Sequence, residues 1–138
     1  MNQIAYLTFR PLRLGIAIAH TRFSYRLIRD EAEFTVNIPT AANLGVVQAC
    51  GAMTGADGDK LTRAGARIEP ATVVRSVCMA DFAAHIECRV SRLIEFEERT
   101  WFVAGVVAAR CKPGHNGGEA LTCGRNEYRT PGIVIAAR

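Results

Sequence analysis

Chemistry-bearing residues are densest in the stretch ACGAMTGADGDK, residues 49–60, where three glycines and a lysine crowd together. A glycine-rich loop with a lysine suggests phosphate binding. A Walker loop needs a Gly-Lys-Ser/Thr triplet, so that backbone N–H groups surround the phosphates and the hydroxyl meets Mg²⁺. Here Asp59 precedes Lys60 and Leu61 follows it. A dinucleotide fingerprint needs Gly-x-Gly-x-x-Gly between a strand and a helix, whereas Gly51, Gly55 and Gly58 are spaced differently and follow a helical pattern. A calcium loop needs oxygen ligands at alternating positions before its glycine and a distant Glu, which Asp57 and Asp59 do not provide. By motif logic alone the stretch is a helix stop and a connecting loop. Cys111 and His115 make at most half a metal site, because no second pair of suitable spacing follows. No acid–base pair or nucleophilic triad stands out.

The elements that must position these residues are mainly strands. Residues 12–20 (LRLGIAIAH) form a short β run, and residues 33–39 (EFTVNIP) alternate and end at a proline that cannot donate to a ladder. In residues 83–96, Ala84, Ile86, Cys88 and Val90 fall on one face, with His85, Glu87, Arg89 and Ser91 on the other. The charged residues 97–99 turn the chain into residues 100–109, predicting a long antiparallel hairpin. Residues 132–137 read as a last strand. Two helices interrupt: FSYRLIRDEA with Thr21 as N-cap, and AANLGVVQAC with Thr40 as N-cap and Gly51 as the closing glycine. Asn37 is expected to satisfy backbone groups at the sheet rim, and His20 and His85 to be structural. Residues 114–118 read as a flexible loop. The fold class is therefore mainly β, an antiparallel β-barrel with short helices.

A chain of 138 residues can bury roughly two thirds of its unfolded surface, and no repeat or linker divides it. One domain over residues 1–138 is expected. The net charge of +4 permits a nucleic-acid partner, yet the 17 Lys and Arg are scattered singly without aromatic interleaving, so none is expected. Five cysteines, odd in number and without Cys-x-x-Cys, read as reduced thiols of a cytoplasmic protein. Without eighteen consecutive apolar residues, no membrane helix is expected.

Order and spacing then become specific. Arg22 and Ser24 at a helix start are followed by Phe34 to Pro39 as Phe-x-Val-Asn-Ile-Pro, by Cys50-Gly51, and by Thr54-Gly55 with Asp59-Lys60. Downstream come Glu-Cys-Arg-Val at 87–90 and the closing CGRNEYRTPG at 123–132. This series resembles the flavin reductase-like, FMN-binding split-barrel family that includes the flavoredoxins, over most of residues 12–132. The resemblance implies an antiparallel split barrel, a homodimer with FMN near the subunit interface, and an NAD(P)H-dependent oxidoreductase. In such a protein NADH or NADPH is a transient reductant and the electrons pass to a small-molecule or protein acceptor.

Carried over by position, the resemblance makes Arg22 and Ser24 donors for the FMN phosphate. It sets Thr54, Gly55 and Lys60 along the flavin edge, where a cation raises the flavin's potential, and Tyr128 against the ring or over the pocket. Each has a plainer reading beside it: Arg22 as a solvated turn residue, Ser24 as a helix cap, Tyr128 as core. Family members carry a longer portion before the strand matching residues 12–19, with a hydroxyl-rich loop around FMN. Only eleven residues precede that strand here. The resemblance thus also implies a reduced cofactor cradle, and the alternative function is a non-catalytic split-barrel binding module with weak or lost FMN binding.

Overall fold

The computed structural model describes residues 3–123 and 127–131. Strands β1 (Ile4–Phe9) and β2 (Leu12–Ala19) lead into helix α1 (Phe23–Glu31) and β3 (Glu33–Ile38). A 3-10 turn (Ala41–Asn43) opens α2 (Leu44–Ala52), and a second (Gly55–Asp57) precedes the short α3 (Lys60–Arg63). Strands β4 (Ile68–Pro70) and β5 (Val77–Met79) form a small hairpin. The long strands β6 (Ala84–Glu95) and β7 (Arg99–Cys111) follow, then the short pair β8 (Thr122–Cys123) and β9 (Tyr128–Arg129).

Five strands make the main sheet in the order β1-β2-β7-β6-β3, with every pairing antiparallel. The β6–β7 hairpin runs in register from Ala84↔Cys111 to Glu95↔Thr100, with register shifts after Glu87 and Val90 that bend it. Alternation places Leu14, Ile16 and Ile18 of β2, Phe34 and Val36 of β3, Cys88 of β6, and Phe102 and Ala104 of β7 in one core. Tyr25 of α1 closes this core, its ring 5.9 Å from that of Phe102 in an edge-on contact. Each large apolar side chain buried this way contributes about 1.5–3 kcal/mol, so the sheet is the framework from which the loops are hung.

Both predicted helices form, with different ends. The N-cap of α1 is Arg22 and not Thr21, because the Arg22 N–H closes a turn onto the Ala19 carbonyl and leaves Thr21 inside that turn. Helix α2 runs through Gly51 to Ala52 and ends at Met53 in extended conformation, so Gly51 is a helical residue and not the closing glycine. At its start Asn43 Oδ1 accepts from the Thr40 N–H at 2.9 Å and from the Thr40 hydroxyl at 3.2 Å. The eleven residues ahead of β2 contain a strand, β1, with a cis peptide at Arg10–Pro11. In β6 both faces are covered at the start of the strand: His85 is 5% exposed and Glu87 1%. The expected strand at 132–137 lies outside the described residues.

Candidate functional site

Loops and strand ends on one side of the sheet enclose a cleft of about 870 Å³. Helix α2 supplies Val46, Val47, Cys50 and Gly51; β7 supplies Trp101; the turn after β5 supplies Phe82. Tyr128 and Leu121 complete the apolar wall, and Asn37, Lys60 and Thr122 bring polar groups. Gln3 and Ile4, the latter the first residue of β1, also line the cleft.

Each polar side chain has a local reason for its place. Asp59 caps α3, its carboxylate accepting from the N–H groups of Leu61 and Thr62 at 3.1 and 3.2 Å and from the Thr62 hydroxyl. These bonds hold the Asp59 carboxyl below its usual range. Lys60 is thereby the first residue of the helix, and its ammonium donates to the Cys50 carbonyl at 3.4 Å. The two ends of the 50–60 segment are tied together at the cleft. Asn37 acts at the rim as expected: its Oδ1 accepts from the Met79 N–H at 2.8 Å and lies 2.9 Å from His85 Nδ1. Its amide nitrogen donates to the Val77 carbonyl at 3.4 Å. Burial, then the neighbouring Arg110 cation, holds His85 below the ordinary histidine range, so it is a neutral spacer at pH 7. His20 is likewise built into the structure, its Nε2 3.0 Å from the Thr100 hydroxyl and its ring 4.8 Å from that of Tyr25.

The six residues singled out from the sequence fall into two groups. Lys60 and Tyr128 line the cleft. Arg22, Ser24, Thr54 and Gly55 gather instead at the start of α1. There a Cβ on Gly55 would stand 2.6 Å from the Phe23 ring, so the glycine lets the 53–58 loop lie against the helix. Arg22 and Ser24 flank Phe23 with exposed side chains. Thr54 Oγ1 accepts from the Ala56 N–H at 3.3 Å.

Sequence reasoning passed over Trp101, Phe82, Met79 and Cys50 as cleft residues. A signal existed for Trp101: alternation in β7 sends it to the face opposite the fully buried Phe102 and Ala104. What it meets there depends on the β2–β7 register, which sets Ala17 opposite Trp101 and Gly15 one step diagonal.

The donor set suits a flat heteroaromatic with a polar edge. Aromatic and branched side chains form the walls, and the Lys60 ammonium keeps donor capacity beyond its one bond to the Cys50 carbonyl. The Asn37 amide and the Thr122 hydroxyl, which donates to the Arg129 carbonyl at 2.9 Å, are engaged within the chain. Gly51 is among the residues lining the cleft, and a Cβ built on it meets nothing within 4 Å. Among the described residues no group of three or more His, Cys, Asp or Glu is placed to hold a metal ion, and no helix is long and apolar enough to cross a membrane.

Residues 1–132 match the family model described as flavin reductase like domain. An uncharacterized protein of Archaeoglobus fulgidus is 32% identical over 101 residues, 73% of this chain and 57% of that protein. One from Pyrococcus abyssi is 30% identical over 105 residues, 76% of this chain and 60% of its own. The chain thus spans less than two thirds of the length of these relatives. Among solved structures, the flavoredoxin of Desulfovibrio vulgaris (Miyazaki F) superposes with a TM-score of 0.88 at 19% identity, over 97% of this chain and 78% of that one. The flavoredoxin from Methanosarcina acetivorans gives 0.86 at 21%, over 97% and 76%. An FMN-binding protein from Thermus thermophilus with bound p-hydroxybenzaldehyde gives 0.85 at 21%, over 98% and 78%. At such identities the likeness establishes the fold, a split barrel.

Proposed function

Because the chain belongs to the flavin reductase-like family, we propose that it is an FMN-binding oxidoreductase whose flavin ring occupies the cleft between α2, Lys60, Trp101 and Tyr128. The observation that carries this reading is a cleft lined by Trp101, Phe82 and Tyr128 together with Gly51 and the cationic Lys60. When bound, FMN supplies hydride-accepting and electron-donating chemistry.

The chain's own residues orient, charge and shield that site. The Lys60 ammonium would place positive charge beside the polar edge of the ring, and Trp101, Phe82 and Tyr128 would exclude water from its faces. Arg22 and Ser24, with the Thr54-Gly55 turn beside them, are the phosphate-side candidates, since a guanidinium fork and a hydroxyl match a phosphate's acceptors. The reductant we assign is NADH or NADPH, and the acceptor a small molecule or a protein, in the cytoplasm. We also assign a homodimer. The edge strand β1 exposes Ile4, Tyr6, Leu7 and Phe9, the last to 79%, and Tyr6 and Phe9 stack into one apolar surface. Ile4 is exposed on this surface and also lines the cleft, so a second copy seated there would border the site.

The test is anaerobic addition of NADH or NADPH to the protein with stoichiometric FMN. Bleaching of the visible flavin band is expected. A tight complex that neither nicotinamide reduces would make the protein a binding module instead.

A further inference from the structure

Glu87 is a buried carboxylate that no part of the proposed chemistry uses. It stands on β6 with 1% of its surface exposed, outside the cleft. Its two oxygens accept three consecutive backbone N–H groups: Thr72 at 2.7 Å, Val73 at 2.7 Å and Val74 at 3.2 Å. Three successive N–H groups converging on one point form an anion nest, and here the anion is supplied from within the chain. The nest is therefore filled and is no ligand site. Its effect is to pull the 72–75 loop onto the sheet. Glu33 on β3 secures the end of the same loop, accepting the Arg75 N–H at 2.9 Å, while Arg89 bridges from Glu33 Oε1 (3.0 Å) to the Val73 carbonyl (3.4 Å).

The loop joins β4 to β5, and β5 ends in the cleft wall. Met79 lines the cleft, and its N–H and the Val77 carbonyl both bond to the Asn37 side chain, which lines the cleft too. Asn37 is in turn held by His85, two residues from Glu87 on the same strand. One end of the β4–β5 hairpin is thus fastened by Glu87 and the other forms part of the site.

We infer that Glu87 is a positioning residue for the cleft: by gathering the N–H groups of residues 72–74 it holds the β4–β5 hairpin down and so sets Met79 and Asn37 in the cleft wall. The inference rests on the flavin reading for its ligand, but not for its geometry. A carboxamide of the same shape can accept from the nest with only one oxygen, so Glu87→Gln frees at least one N–H.

The experiment measures FMN affinity and amide hydrogen exchange at residues 72–74 and Met79, for wild type, Glu87→Gln and the control Ile18→Val, a core change remote from the hairpin. Glu87→Gln is expected to weaken FMN binding roughly tenfold, the loss of about one charge-assisted hydrogen bond, and to accelerate exchange at Met79. The control should bind FMN as wild type does, whatever global stability it loses. Unchanged affinity and exchange in Glu87→Gln, or an equal loss in the control, would overturn the inference. If wild type binds no FMN, the flavin reading fails on its own and Glu87 is judged on Met79 exchange. Should Glu87→Gln not fold, Glu33→Gln loosens the other anchor; a two- to threefold loss with the same exchange pattern supports the inference, and no change overturns it.

Discussion

Replacing Gly15 with alanine probes the contact that joins the sheet to the cleft. Gly15 is buried on β2, and a Cβ there would lie 2.7 Å from both Cε3 and Cζ3 of Trp101 and 3.2 Å from Leu7 Cδ1. Carbon atoms pack best at about 3.5–4.0 Å, so the indole would have to retreat by roughly 1 Å, and its free side is the cleft. Two effects oppose each other. Alanine stiffens the unfolded chain and suits a strand better than glycine, by about 0.5–1 kcal/mol. Overpacking a fitted contact costs about 1–3 kcal/mol, and the clash is with two atoms of a rigid indole that must move as a whole. The cost wins, leaving a net destabilisation of about 1–2 kcal/mol and a fall in Tm of roughly 5 °C for a chain of this size. Trp101 is the single tryptophan in the sequence, so tryptophan emission reports the surroundings of this one ring. Its maximum and intensity should change in the native state of the variant, and FMN affinity should drop as the ring enters the cleft. A Gly15→Ala protein as stable as wild type, with the same emission, would refute the packing of Trp101 on Gly15.

Four further outcomes are expected. Lys60→Met should weaken FMN binding roughly tenfold or lower the bound flavin's potential, and identical affinity and potential would remove Lys60 from the site. Arg22→Ala should weaken FMN but not riboflavin, which lacks the phosphate; equal losses for both, or for neither, would dismiss Arg22 as the phosphate donor. Burial, with the Glu87 charge adding to it, pushes the Cys88 thiol up to about 12, and Cys78 is also fully buried. Iodoacetamide at mildly alkaline pH should therefore label only Cys50, Cys111 and Cys123 in the folded chain, and labelled Cys88 seen by mass spectrometry would contradict the core as described.

The fourth concerns acid. Burial works to raise the Glu87 pKa, but its three N–H donors outweigh it and hold the carboxyl below its ordinary 4.5. Hydrogen bonds likewise lower Glu33 and Asp81. Groups depressed on folding lend stability above their unfolded pKa and lose it as pH falls through the folded value. Tm should slip gently below about pH 6.5, where the unfolded chain protonates His85, which the folded chain keeps neutral. It should fall more steeply below about pH 5, this steeper limb being shallower in Glu87→Gln. A limb below about pH 5 as steep in Glu87→Gln as in wild type would assign it to other groups.

Much of the sheet was legible because period-2 alternation survives wherever one face is core: β2, β3 and the β6–β7 hairpin appear where the pattern places them. Helix ends were less so. Gly51 reads as a stop, yet α2 runs on through it to Ala52. Its backbone is not left-handed and a Cβ there would meet nothing within 4 Å, so glycine marks neither a turn nor a close contact at this position. The six site candidates came from a resemblance of order and spacing, and spacing does not say which side of a loop faces the cleft. Lys60 and Tyr128 line it, while Gly55 lies against Phe23 and the Thr54 hydroxyl accepts from the Ala56 N–H. The role of Glu87 was invisible for a different reason. Its partners are backbone N–H groups some fifteen residues away, and backbone donors carry no sequence signature.

Equilibrium titration of the purified chain with FMN, following Trp101 emission and flavin fluorescence together, tests the central claim most directly. Saturable quenching of both signals, weakened by Lys60→Met, is the predicted result. No change in either signal at FMN concentrations well above those of the protein would contradict a flavin site in this cleft.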